Sequence, residues 1–149
     1  MEVLLRNTPL AAAFIGFLAA QILKILFILV MEKKLDLHMA LSTGGMPSSH
    51  TSTVTALTTS IGMIQGVYST FFAVSLVFSI VVIYDAVGIR QAAGKHAEVL
   101  NEMTQLINEI FEHGFKHNDL KTLLGHTYPQ VLAGIMVGAA AGASVTAYF

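Results

Sequence analysis

Residues 9–31 read PLAAAFIGFLAAQILKILFILVM, an apolar run broken only by Gln21 and Lys24. About 20 apolar residues suffice to cross the hydrocarbon core of a bilayer, so this run predicts a membrane span. A helix that is apolar on all sides finds no solvated face in a small soluble domain. The rest of the composition agrees: 54% of the 149 residues are hydrophobic and only 11% are charged, against about 25% charged in a typical soluble domain. The segment before the run lacks a strongly basic stretch, and the run exceeds signal-peptide length, so a retained span is expected. The length suits one domain, residues 1–149.

Three further segments complete the expected architecture. The block from His50 to Gln65 is weakly apolar and rich in threonine and serine; it makes a poor lipid-facing helix and is expected inside a bundle. Residues 67–87 and 129–149 read as spans, and the last carries Gly134, Gly138 and Gly142, a doubled GxxxG that lets helices approach closely. Such a helix could also pair with a second copy, so a homo-oligomer through it is a candidate. Between these spans lies a polar stretch in which Val99, Met103, Leu106 and Ile110 recur on one helical face, widened by Leu100, Ile107 and Phe111. The expected fold is therefore all-α: an integral membrane bundle of about four transmembrane helices plus one amphipathic interfacial helix.

With four crossings, the segments after the first and third spans share one membrane face. That face would hold Lys33, Lys34, Arg90, Lys95, Lys116 and Lys121, against Arg6 opposite. The positive-inside tendency then puts the polar face in the cytoplasm of a bacterial-type plasma membrane. The formal net charge of −1 gives no reason to expect a nucleic-acid partner. The chain has no cysteine, hence no disulfide framework and no thiolate zinc site. His113 and His117 have i, i+4 spacing, but Gly114 lies between them and no third ligand is evident. No metal site is expected, and His38 and His96 read as surface or interfacial residues.

The chemistry-bearing residues fall on the shared polar face. A cation inside a span is costly and is by default a functional candidate. Lys24 lies seven residues before Met31, about 10 Å of helix, so it either reaches the polar face or merely snorkels to headgroups. GGMPSSHTS, residues 44–52, has the form of an anion-binding turn entering a helix, with Ser48, Ser49 and the first helical amides as donors. The simpler account is an N-cap, and both can hold together. His50 at that mouth is suited to protonate a leaving oxygen. YDAVGIRQAAGKH supplies Asp85 and Arg90, either a structural ion pair or a phosphate-holding fork. LGHTYPQVLAG puts His126 just ahead of the last span. Two cations to hold charge, one histidine to attack and one to protonate the leaving group make a phosphoryl-transfer set.

Lys24, MPSSH, YDAVGIRQAAGKHAEVLN and GHTYPQVLAG, in this order, resemble the divergent branch of the type 2 phosphatidic acid phosphatase (PAP2) superfamily, distantly related to vanadium haloperoxidases. The resemblance implies that Lys24, Arg90 and Ser48 with its neighbouring backbone, Ser49 included, bind phosphate. It makes His50 the general acid and His126 the nucleophile of a phosphohistidine intermediate. It implies no metal and no cofactor. The sequence also departs from the wider superfamily. No arginine–proline pair follows Lys24, and Ser49 replaces a glycine. A stretch of 35 residues parts Arg90 from His126, where the superfamily keeps them a few residues apart. Gln130 stands where an aspartate is expected four residues after the nucleophile, and Asp85 is the substitute candidate for orienting His126. The expected activity is hydrolysis of a lipid phosphate monoester or pyrophosphate, phosphatidylglycerol phosphate or a polyprenyl pyrophosphate first. The alternative is a non-catalytic lipid-phosphate binding, transport or assembly protein with a degenerate pocket.

Overall fold

A computed structural model of the chain describes residues 7–32, 45–111, 119, 120, 122 and 124–149. The expectations placed on Arg6, Lys33, Lys34, His38, Gly44, His113, Lys116, His117 and Lys121 lie outside the described residues. Within them the chain is all-helical, with no strands: α1 (Thr8–Glu32), α2 (Ser49–Gln65), α3 (Thr70–Val87), α4 (Ile89–Phe111) and α5 (Tyr128–Tyr148).

The first three helices each begin where the sequence supplies a cap. Asn7 Oδ1 accepts from the Leu10 amide ahead of α1, Ser48 Oγ from the Thr51 amide ahead of α2, and Ser69 Oγ from the Phe72 amide ahead of α3. These bonds satisfy first-turn amides that have no partner inside the helix. Gly66, at φ +83°, ends α2 and starts the short turn into α3. Gly88 separates α3 from α4, so one helical run continues from the apolar residues of α3 into the amphipathic α4.

Three helical stretches among the described residues are long and apolar enough to cross a membrane: α1, the run from Thr70 that begins with α3, and α5. The expectation of four spans is thus met for three. The fourth segment, α2, has 17 residues, eight of them serine or threonine, and its place explains that composition. It is the central helix, packed on α1, α3 and α5. Ser52 Oγ donates to the Gly16 carbonyl of α1 at 2.8 Å. Thr58 and Ser79 of α3 share a hydrogen bond of 2.8 Å, and Thr146 of α5 donates to Ser60 at 2.7 Å. Buried hydroxyls that all find partners hold helices in register where lipid offers no hydrophobic drive between them, each bond contributing about 0.6–2 kcal/mol.

The glycine stripe of α5 faces this polar helix. A Cβ on Gly134 would sit 2.7 Å from the Ser48 carbonyl oxygen, and one on Gly142 would sit 2.6 Å from that of Ala56. Gly138 meets Ser52 in the same way. The glycine face is therefore buried within the chain, against α2, because small residues on α5 meet small and hydroxyl residues on α2 at matching four-residue steps. The outward surface is lipid-like instead: Phe14, Ile22 and Phe27 of α1 and Phe71, Val77 and Phe78 of α3 are all exposed. Exposed apolar area on that scale belongs in a bilayer.

Candidate functional site

Helix directions bring the chemistry to one end of the bundle. Gly16 of α1 packs on Ser52 and Ala56 of α2 while Gln21 meets Ser49, so α1 and α2 run antiparallel. On α5, Gly134, Gly138 and Gly142 meet successively later residues of α2, so these two run parallel. Two backbone hydrogen bonds then join the termini. Ser48 N–H donates to the Gln130 carbonyl at 3.1 Å, and His126 N–H donates to the Ala86 carbonyl at 2.9 Å. The start of α2, the end of α3 and the start of α5 are thereby locked together.

Gly125 makes the second lock possible. Its φ of +86° is a left-handed conformation that favours glycine, and a Cβ there would lie 2.6 Å from the Gln91 nitrogen and 3.0 Å from the Ala86 carbonyl oxygen. The approach of α4 is equally close at Gly94, where a Cβ would meet the Thr122 carbonyl oxygen at 2.5 Å. The loop ahead of His126 thus lies directly on the α3–α4 junction. This is how 35 intervening residues still leave Arg90 and His126 together in space.

His50, Val82, Asp85, Ala86, Arg90 and His126 line one small cavity of about 30 Å³. His126 is buried at 5% exposure, whereas His50 is exposed at the mouth. Burial pushes the His126 imidazole below the ordinary histidine value; its hydrogen bond to Gln130 opposes this, and the positive charges of Lys24, His50 and Arg90 add to the lowering. His126 is thereby held neutral at neutral pH, as a nucleophile requires. Lys24 is 2% exposed, and its aliphatic stem lies against Gly45, where an added Cβ would stand 3.4 Å from both Cδ and Cε.

Gln130 fixes the chemistry of the His126 ring. Its Oε1 accepts the Thr127 amide at 3.1 Å and lies 3.2 Å from His126 Nδ1. Because a backbone N–H can only donate, the atom facing it must be the amide oxygen, and Nδ1 must then carry its proton. The unprotonated nitrogen of the neutral ring is therefore Nε2, the atom suited to attack phosphorus. The same Gln130 completes a capping box at the start of α5.

The other expected residues fall as follows. Arg90 Nε donates to Asp85 Oδ2, so Asp85 partners Arg90, and the contact to His126 that was sought from it is made by Gln130. Ser48 is fully buried as the α2 cap and also accepts from Thr51 Oγ1 at 3.0 Å. Ser49 turns its hydroxyl to Gln21 Oε1 of α1 at 3.0 Å, which makes it a clasp between helices. Gln21 was legible only as an interruption of a span; its i, i+3 relation to Lys24, which puts both on one face, is the signal that could have marked it. Asn101 does not line the cavity: its amide brackets Leu120, donating to the carbonyl and accepting from the N–H, each at 3.0 Å. Among the described residues no three His, Asp or Glu side chains group as metal ligands. A second cavity of about 200 Å³ lies beside His126, lined by Gly45, Gln91 and Gln130 with residues of the 122–127 loop.

The "Uncharacterized membrane protein YuiD" of Bacillus subtilis (strain 168) is 37% identical over 144 residues, covering 91% of each chain. No solved structure matches the chain. The family described as the divergent PAP2 family matches residues 5–141, and the chain belongs to it.

Proposed function

We propose that this membrane protein is a lipid-phosphate phosphatase acting through a phosphohistidine on His126. The observation that carries the reading is the single cavity shared by His50, Arg90 and His126, together with the Gln130 contact that leaves Nε2 as the free ring nitrogen. In the proposed reaction Lys24 and Arg90 hold the phosphoryl oxygens while Nε2 attacks phosphorus. The bond from phosphorus to the lipid oxygen breaks, and His50 gives that oxygen its proton. Neutral His50 then takes a proton from water, whose oxygen attacks the phosphohistidine. The P–N bond breaks, releasing inorganic phosphate and restoring His126.

The finer topology belongs to this reading. In this reading the chain crosses four times, with α2 as a short interior crossing and α4 at the surface, and the excess of lysine and arginine in the segments on the cavity's side supports a cytoplasmic opening. A phosphate made on the inner leaflet, such as phosphatidylglycerol phosphate, is then the first substrate, and a polyprenyl pyrophosphate the second. The test is phosphate release from a panel of both lipids by purified protein and by His126→Ala. Release from one lipid class that His126→Ala abolishes supports the reading, and equal release by both proteins removes His126 as nucleophile.

A second reading is favoured by one specific observation. Asp85 sits on Arg90 inside the cavity, and Gln130 brings no negative charge to support an imidazolium. A site so configured suits a non-catalytic lipid-phosphate binder. Saturable binding of a lipid phosphate without any turnover would select this alternative.

A further inference from the structure

Helix α4 is inside-out. Two sets of residues recur along it at steps of four and three, offset from each other by two positions, which puts them on opposite faces. One face carries Arg90, Gly94, Ala97, Asn101, Thr104 and Asn108; the other carries Ala92, His96, Val99, Met103, Leu106 and Ile110. In a water-soluble helix the second face would be covered and the first solvated. Here the reverse holds. Gly94 and Ala97 are buried and Asn101, Thr104 and Asn108 half-buried, while Val99, Met103, Leu106 and Ile110 are 52–72% exposed. Leu100 and Ile107 extend the exposed apolar face to one side.

The small and polar face is covered for a stated reason: Gly94 lies under Thr122 and Leu124, and Asn101 brackets Leu120. This face fastens the segment that leads to His126. Among the described helices α4 packs only on α3, so the apolar face has no cover within the described residues.

We propose that the apolar face of α4 is a membrane-docking surface, seated in the interface of the same bilayer that α3 crosses. Two observations select lipid over a second copy. Only Gly88 separates α4 from the apolar α3, so the helix starts where a span ends. The apolar face is also wider than a coiled-coil seam, and its charged flank carries Lys95, Glu98, Glu102 and Glu109 while the flank across the seam, with Ala93, Leu100 and Ile107, has no charge to specify a partner helix. Such a face suits a broad apolar medium. Because the opposite face grips the segment leading to His126, this seating also sets the height of that segment above the bilayer.

The absence of native cysteine permits a direct test. Met103→Cys, Leu106→Cys and, on the polar flank, Gln105→Cys are labelled singly with a fluorophore in the full chain. The proteins are placed in phosphatidylcholine nanodiscs with or without bromine on the acyl chains. Labels at 103 and 106 should be quenched several-fold more than the label at 105. Equal, weak quenching at all three positions overturns the proposal. So does protection of position 103 from lipid together with a Met103→Cys disulfide between copies, which assigns the face to a second chain. Repeating the set in His126→Ala keeps the matter separate from catalysis, because docking predicts the same quenching in an inactive protein.

Discussion

Gln130 Oε1 binds both the Thr127 amide and His126 Nδ1, at 3.1 and 3.2 Å, so one side chain caps α5 and sets the tautomer of the buried histidine. The capping role and the orienting role are separable by substitution. Gln130→Glu keeps an acceptor for both donors but adds negative charge beside the ring, which should raise the His126 pKa. Gln130→Ala removes both bonds; it should cost about 1 kcal/mol of stability through the lost cap and lower turnover by ~10-fold or more through the lost orientation of a catalytic group. Thermal unfolding in detergent measures the first effect. The kcat of each variant and an NMR titration of the His126 ring measure the second.

Burial holds His126 below the ordinary histidine value of about 6.5. Folding therefore favours the neutral ring. Its contribution to stability is fully present above the unfolded value and is lost as pH falls through the lowered folded value. Turnover that needs neutral His126 should accordingly persist below pH ~6.5. His126→Asn should flatten the acid limb of the stability profile. Denaturant titrations across this range, with and without the substitution, check the sign.

The Asp85–Arg90 pair yields a prediction about charge. Asp85 lines the cavity, where its carboxylate repels an incoming phosphate. Asp85→Asn keeps an acceptor for Arg90 Nε while removing the charge, and should tighten inorganic phosphate binding a few-fold, a modest change because the pair is partly solvent-screened. Arg90→Lys should weaken binding, since an ammonium lacks the planar fork that matches phosphate oxygens. Isothermal titration with inorganic phosphate distinguishes the two directions.

Much of this arrangement was readable from residue order. Locating spans assigned His50, Arg90 and His126 to one end of the bundle, where the three line one cavity, and the glycine triplet in the last helix marked a close helix contact. What could not be read was which helix received that contact. GxxxG spacing states only that something comes near; the partner is set by Ser48, Ser52 and Ala56 on α2, a match visible only in three dimensions. Ser49 shows the same limit. Its place in the turn suggested a phosphate donor, yet its hydroxyl joins Gln21 on another helix. The partner of His126 was also ambiguous between Gln130 and Asp85, because Asp85 lies far along the chain and its nearer attraction is the Arg90 guanidinium.

That helix contact makes a further prediction. Gly142→Val would force a side chain into the Ala56 backbone and should destabilise the bundle by about 1–3 kcal/mol, the usual cost of overpacking. Gly66→Ala, with open space around it but φ +83° and ψ 153°, a region essentially confined to glycine, should cost about 1–3 kcal/mol of backbone strain. Unfolding of the two variants in the same detergent measures both costs.

The most direct measurement is chemical. Purified protein is incubated with a lipid phosphate labelled with ³²P, quenched in alkali, and the label mapped by mass spectrometry. The phosphohistidine account predicts an alkali-stable, acid-labile phosphate on His126 that is absent from His126→Ala. Phosphate release by His126→Ala at the wild-type rate, or label carried by any other residue, would contradict it.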